Sequence, residues 1–438
     1  MISSHYNFFL DLFHSKGYGV IYNTNSGSIV SIRDYNTWNF LRGNNTLNIS
    51  VEDAKLLEEN KILVHSHQEE LSAIEARYER RVKDSDTLYL TIMPTESCNF
   101  SCPYCFLWEK APKFMSDDTY ADILRYILEM CSSTTQIQRI MINWFGGEPT
   151  LCVSKICSFM SKLASIAREK HLAVESSITT NGYLLTKDNF LKLLEAGVYY
   201  YQVTVDGMQE THNIGRPHKT DPASYTTIMH NLEEIKTLEL PYRLDIRSNF
   251  TQSTIPSVNS FIEIFSQEFG TDERFQLYCR PVYDYDTKEN SIEILRGDIL
   301  SIDDGITQQN VFADKIAKLT QNTTIRRMVD PLPQPTACWC NAETSHHIVI
   351  GPDGSIYICD TLTGSDNSLG KLVKGAILWN RNDVVSYDIF HDSRTAKCMN
   401  CKLLPICMGG CLRNRIHSEA QCYWTEQGLQ NALAKYYS

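Results

Sequence analysis

No run of about eighteen consecutive apolar residues occurs in the chain, so its sequence offers no membrane-spanning helix. The first residues, "MISSHYNFFLDLFHSKGYG", lack a basic segment leading into an apolar one, which argues against a secretory signal. Basic residues are outnumbered: 41 Lys plus Arg face 52 Asp plus Glu, a formal charge of -11. Neutralising phosphates needs the opposite balance, so nucleic acid is not an expected partner. These absences predict a cytoplasmic protein acting away from membranes. In that reducing setting the 15 cysteines are not expected to form disulfides, which leaves metal or cluster ligation for the clustered ones.

At 438 residues the chain is long enough for about three domains of roughly 150 residues each. Residues 1–82 read as a small unit. "YGVIYNT" and "GSIVSI" are β-rich runs joined through a plausible hairpin turn, and "RDYNTWNFLRG" and "SVEDAKLLEENKILV" have helical spacing. "SHQEELSAIEARYERRVKDSD" reads as an exposed helical linker. From Thr87 strand and helix patterns alternate. Six strands are expected, in "TLYLTIMPT", "RIMINWFGG", "VESSITTNG", "YYQVTVDG", "RLDIRSNF" and "FQLYCRPVY". This order predicts an α/β fold over residues 83–285, a parallel sheet either open or curled towards a barrel. Chemistry in such folds gathers at the C-terminal ends of strands. Residues 286–335 read as a bridging region closing on the proline-rich "VDPLPQPTA". Residues 336–438 are dense in cysteine and poor in long apolar runs, the composition of a domain held by metal more than by a core.

"CNFSCPYCF" places Cys98, Cys102 and Cys105 in a loop after the first strand. Iron-sulfur clusters and structural zinc normally take four ligands, so a triplet without a fourth points to a metal centre with one open position. Buried thiols are the plain alternative, and a loop of Asn, Ser and Pro is a poor place to bury them.

This triplet resembles the CxxxCxxC signature of radical S-adenosylmethionine (radical SAM) enzymes, including the aromatic residue before the third cysteine. The resemblance implies a partial (β/α)6 TIM-like barrel and a [4Fe-4S] cluster whose fourth iron is chelated by S-adenosylmethionine. Reductive cleavage then yields a 5'-deoxyadenosyl radical. Gly146, Gly147, Glu148 and Pro149 resemble the family's GGEP segment, which meets the methionine amino group. Thr180 and Asn181, Thr204 and Asp206, and Ser248 and Asn249 end the next three strands and resemble positions lining the nucleoside pocket. Thr204 and Ser248 also suit strand ends that satisfy backbone groups.

The later cysteines resemble the SPASM extension of the same superfamily, which binds two auxiliary [4Fe-4S] clusters. Cys338, Cys359 and Cys411 are then expected on the first, with Cys340 its candidate fourth ligand, and whether Cys338 or Cys340 is the main ligand stays open. Cys398, Cys401, Cys407 and Cys422 are expected on the second. Zinc is the alternative for the "CMNC" to "CMGGC" segment. Cys131, Cys152, Cys157 and Cys279 fall on helix or strand patterns and are expected in the core.

The resemblance implies a maturase of a ribosomally made precursor peptide that cross-links side chains through carbon-carbon, ether or thioether bonds. The N-terminal unit resembles a winged-helix-like element that recognises a precursor's leader as an added strand. A flavodoxin- or ferredoxin-like electron donor is the implied partner. Asp360, directly after Cys359, resembles the general base of anaerobic sulfatase-maturating enzymes, which oxidise Ser or Cys to formylglycine. That activity is the alternative reading. A zinc-stabilised binding protein without catalysis is a third.

Overall fold

Six segments rich in β-branched and aromatic residues form the strands Thr87–Ile92, Arg139–Trp144, Ala173–Thr180, Tyr200–Thr204, Arg243–Phe250 and Phe275–Pro281. Each lies parallel to its neighbour in sequence. The structure, a computed structural model, describes residues 1–44, 49–107, 112–133, 136–284, 291–320, 332–380, 388–417 and 422–437. Between the strands run helices such as Asp117–Ser133, Val153–Lys170, Lys187–Glu195 and Ile255–Glu268. Parallel pairing needs such crossovers, and their apolar stripes cover the sheet. Ile140, Ile142, Phe159, Leu163, Val203, Ile246 and Phe261 make one continuous core. The expected α/β class and strand order hold.

By length and composition the helical stretch Pro149–Lys170 could cross a bilayer. Here Ile156, Phe159, Met160 and Leu163 are buried in the core, while Lys155, Lys162 and Arg168 are exposed. This is the stripe of a core-facing helix.

The chain divides into two units. One holds residues 86–329 and 346–384, so the expected boundary at 336 is corrected. His347–Ile350 adds to the outer edge of Thr87–Ile92 in parallel, with His347 opposite Tyr89, and Ser355–Tyr357, Gly370–Val373 and Ala376–Trp379 follow antiparallel to give ten strands. The bridging region, whose sequence reads as mixed and helical, is helical over much of its described part. Helix Ile302–Leu319 packs on the sixth strand and its neighbour, with Phe312 edge-on to Phe250 at 5.0 Å. Residues 285–290 and 321–331, including most of "VDPLP", lie outside the described residues.

The other unit joins residues 1–85, 330–345 and 385–438. Its N-terminal part is a three-stranded antiparallel sheet, Asn7–Leu12, Tyr18–Asn23 and Ile29–Ile32, followed by helices Tyr35–Leu41, Val51–Glu59 and His67–Lys83. Asp34, Ser50 and Ser66 cap these helices, each accepting from an amide three residues on. The sequence missed the first strand. The last helix is no exposed linker, because Ile74 and Tyr78 pack with Tyr6, Ile389, Leu404 and Met408. Phe8, Val20 and Tyr22 share a second core with Leu403, Ile406, Leu429 and Leu433. The two expected terminal domains are therefore one body, since neither set of short apolar runs can bury itself alone.

Candidate active site

The loop after the first barrel strand carries Cys98, Cys102 and Cys105, and backbone hydrogen bonds tie it to the end of the second. Gly147 N–H donates to Thr95 O at 2.9 Å, and Glu148 N–H to Ser97 O at 2.8 Å. This approach is why both residues before Glu148 are glycine. Gly146 has φ +116°, and a Cβ on Gly147 would sit 2.2 Å from the Ser97 carbonyl oxygen.

Glu148 is 1 % exposed and its carboxylate is taken up by the chain. Oε1 accepts from Thr150 N at 2.9 Å, Thr150 Oγ1 at 2.5 Å and Thr180 Oγ1 at 2.6 Å, and Oε2 accepts from Asn181 N at 2.7 Å. Burial pushes its carboxyl above the ordinary range against these hydrogen bonds, which favour the ionised form. Its visible work is to hold the end of the third strand. There Asn181 Nδ2 donates to Asn99 Oδ1 at 2.7 Å and approaches Cys98 Sγ at 3.9 Å.

One cavity of about 620 Å³ opens at these strand ends, and all three loop cysteines line it. Gly146, Gly147, Glu148, Thr180, Asn181, Thr204, Asn249 and Asp360 line it as well. Three expected residues do not. Pro149 begins the short helix Pro149–Cys152. Ser248 accepts from Gly207 N–H at 3.2 Å, the strand-end role weighed against pocket lining. Asp206 stands behind the wall, accepting from Asn249 N at 2.8 Å and from the Tyr104 hydroxyl.

Asp360 comes from the segment after the added strand Ser355–Tyr357, in the same unit as the triplet. Burial pushes its carboxyl above the ordinary range, while the Cys359 thiol, the Asp360 and Thr361 amides and Arg247 pull the other way. Cys359 Sγ donates to Asp360 Oδ1 at 3.4 Å. A carboxyl so placed can take a proton from a group held in the cavity. Sequence reasoning missed two cations on the wall, Arg247 and Arg216. "HNIGRPH" has no motif spacing, and only the question of what balances a thiolate cluster points to Arg216. Trp144 is fully buried against Phe159 and does not line this cavity. Cys152 and Cys279 are buried as expected, whereas Cys131 and Cys157 are half-buried.

The donor set fits an iron-sulfur cluster with one open iron. Among the residues lining the cavity the triplet supplies three sulfurs and no fourth. Phe100 N–H reaches Cys98 Sγ at 3.4 Å, a donor that a ligating sulfur can accept from.

In the other unit burial first, then the neighbouring Cys398, Cys401 and Cys422, pushes the Cys407 thiol up to about 12, and burial first, then Cys401 and Cys422, raises that of Cys398. Sulfurs near enough to act on one another in this way can share one metal centre. No set of three or more Cys, His, Asp or Glu among the described residues is spaced for a single metal ion. Cys338, Cys340 and Cys411 belong to this unit, and Cys359 to the other.

Residues 92–251 match the model of the radical SAM superfamily. The chain is 24 % identical over 361 residues to the cysteine-type anaerobic sulfatase-maturating enzyme of Clostridium novyi, covering 75 % of this chain and 89 % of that one. Its fold matches anSMEcpe with bound AdoMet and Cp18Cys peptide, with a TM-score of 0.54 and 19 % identity over 80 % of this chain and 96 % of that. It also matches Streptococcus suis SuiB bound to its precursor peptide SuiA, with a TM-score of 0.51 and 16 % identity over 97 % and 99 %.

Proposed function

Because residues 92–251 are a radical SAM domain and the protein is an enzyme, we propose that it matures a peptide or protein by oxidising one side chain. The observation that carries this is Asp360, a carboxyl lining the same cavity as the Cys98, Cys102 and Cys105 thiols. The sequence put cross-linking first. The named sulfatase-maturating relative favours the alternative, oxidation of a Cys or Ser side chain towards formylglycine, which we take as the leading reading.

Cys98, Cys102 and Cys105 hold the cluster in this proposal. Gly146 and Gly147 offer their backbone, and Thr180, Asn181, Thr204 and Asn249 their side chains, to S-adenosylmethionine. When bound, these groups supply a carbon radical that removes one hydrogen atom from the substrate. Asp360 then takes the proton that leaves as the substrate carbon gives up its next electron. The chain offers Cys398, Cys401, Cys407 and Cys422 for one auxiliary [4Fe-4S] cluster, with Cys338, Cys340 and Cys411 of the same unit as candidates for another, as electron acceptors. A flavodoxin- or ferredoxin-like donor supplies reducing electrons in the cytoplasm.

Cross-linking of a precursor remains a second reading because of one observation. In the three-stranded sheet Ile29–Ile32 is an edge strand, available for a leader to pair with. Incubating the reduced holoenzyme with S-adenosylmethionine and two peptides separates the readings: a sulfatase-type peptide with a Cys or Ser target, and a small peptide encoded beside the gene. Tandem mass spectrometry finds a new aldehyde in the first case and a bond between two residues in the second. Neither product, alongside steady 5'-deoxyadenosine formation, would refute peptide maturation.

A further inference from the structure

The segment carrying Cys338 and Cys340 is held by Glu343. Its Oε1 accepts from the amides of Trp339 at 2.9 Å and Cys340 at 3.3 Å, so one carboxylate oxygen fixes the backbone that joins the two thiols. Oε2 accepts from Arg415 Nη2 at 2.6 Å and from the Tyr78 hydroxyl at 3.4 Å. Arg415 lies one helical turn after Cys411, its N–H donating to Cys411 O at 3.2 Å. Its stem passes the Gly409 to Gly410 turn that leads into Cys411, where a Cβ on Gly409 would stand 3.6 Å from Arg415 Cδ. Two cysteine segments, joined by residues 72 apart in sequence, therefore meet at one ion pair within one unit.

This pair is a poor source of stability. The Arg415 and Glu343 side chains are 0 % and 1 % exposed, and taking two charges out of water costs about as much as their attraction returns. Apolar side chains of similar volume often fill such a place equally well. They cannot accept two amides. Without Glu343 Oε1 the Trp339 and Cys340 N–H groups lose the acceptor that sets the course of the loop. What the carboxylate adds is direction, and the guanidinium fixes that direction against the Cys411 turn.

We propose that Glu343 and Arg415 are positioning residues that set the Cys338/Cys340 loop against the Cys411 turn for one auxiliary cluster. This rests on the reading that these thiols serve a [4Fe-4S] cluster. Each thiolate on such a cluster meets a different iron, so its ligands stand farther apart than those of a single ion. Segments this distant in sequence need a frame before the cluster arrives, because loops left free would have to lose their entropy at binding. The ion pair supplies that frame. Tyr78, and the bond from Arg81 Nη2 to Asn341 Oδ1 at 2.9 Å, brace the loop from helix His67–Lys83.

The test uses anaerobically purified protein reduced with dithionite, and reads iron, sulfide, melting temperature and electron paramagnetic resonance. Glu343→Leu with Arg415→Met removes both charges together and leaves neither unpaired. Glu343→Gln keeps the shape, and its single carbonyl oxygen can serve the loop amides or Arg415 but not both. Cys411→Ala marks the signal that belongs to this centre. The double variant and the Gln variant should each fall from about twelve irons to about eight and lose the signal that Cys411→Ala loses. The signal that changes shape on adding S-adenosylmethionine should stay, since the Cys98/Cys102/Cys105 triplet lies in the other unit. In the double variant the melting temperature should stay as well. About twelve irons with unchanged signals in the double variant would overturn the proposal. Loss of all auxiliary iron together with a lower melting temperature would overturn it too, because a purely structural pair gives that result. Should the double variant not fold, the Gln variant decides by the same iron and signal readings. About eight irons in the wild type itself defeats the cluster reading at these thiols instead.

Discussion

Asp360→Asn keeps the shape of the cavity wall and removes the proposed proton acceptor. We expect 5'-deoxyadenosine to form at close to the wild-type rate while modified peptide falls by a hundredfold or so, the usual range for losing a general base. Chromatography of both products from one reaction checks this, and undiminished peptide product would end Asp360's role. His347 gives a pH prediction. Burial lowers its pKa to about 4, so as pH falls below about 6.5 the unfolded chain takes up the proton before the folded one. Stability should therefore drop by up to about 1.4 kcal/mol per pH unit between those values and be unaffected by this group above them. Thermal melts at pH 7 and pH 5 should differ less in His347→Phe than in wild type. Single residues were legible where spacing fixed their place, as for the cysteine triplet and the paired glycines that line the cavity. Glu148 was legible in place and not in partner, while Asp206 and Ser248 were expected on the cavity and stand off it, because sequence does not say which neighbour a carboxylate or hydroxyl will satisfy.

The turn that brings the second barrel strand onto the cysteine loop tolerates no side chain. Gly147→Ala must displace backbone carbonyls of Glu96 and Ser97, so we expect it to lose bound iron at the triplet and all 5'-deoxyadenosine formation. Iron analysis and turnover check this; full iron and turnover would show the loop to be more pliant than its geometry. On the edge strand Ile29–Ile32, the bond from Asn23 N–H to Ser28 O fixes the alternation of the ladder. Val30 and Ile32 then bond inward, and Ile29 and Ser31 turn their N–H and C=O outward. Ser31→Pro removes an outward donor without touching the inner ladder. If a leader adds there, binding measured by fluorescence anisotropy should weaken several-fold while the melting temperature holds. Unchanged affinity would send the leader elsewhere. The six barrel strands were readable because each is a run of five to eight residues of strand-forming types. The strands after residue 346 have only three or four residues, and the one that joins the sheet, His347–Ile350, pairs with Thr87–Ile92 far away in sequence, so no local pattern announces that junction.

Over the chain as a whole, the three clusters of the proposal would amount to about twelve iron atoms per protein. Replacing Cys98, Cys102 and Cys105 together by Ala should leave about eight and abolish 5'-deoxyadenosine, as iron and sulfide assays on anaerobically purified protein would show. Colourless protein carrying zinc would return the chain to the binding-protein reading. The sequence divided the molecule by composition into consecutive domains, and the fold does not follow that order. Its N-terminal sheet and its last fifty residues complete one another's cores, while residues 346–384 complete the sheet begun at Thr87. That last pairing bears on synthesis. On the ribosome, the outer edge of Thr87–Ile92 emerges roughly 260 residues before the strand His347–Ile350 that covers it, which at 5–20 residues per second is roughly 13 to 50 s. Throughout that interval a hydrophobic parallel strand has a bare side, the kind of surface that recruits other nascent chains. Yield of soluble protein should therefore respond to translation rate and chaperone supply, and a covering peptide of sequence 346–351 supplied in trans should improve it for chains truncated before residue 346.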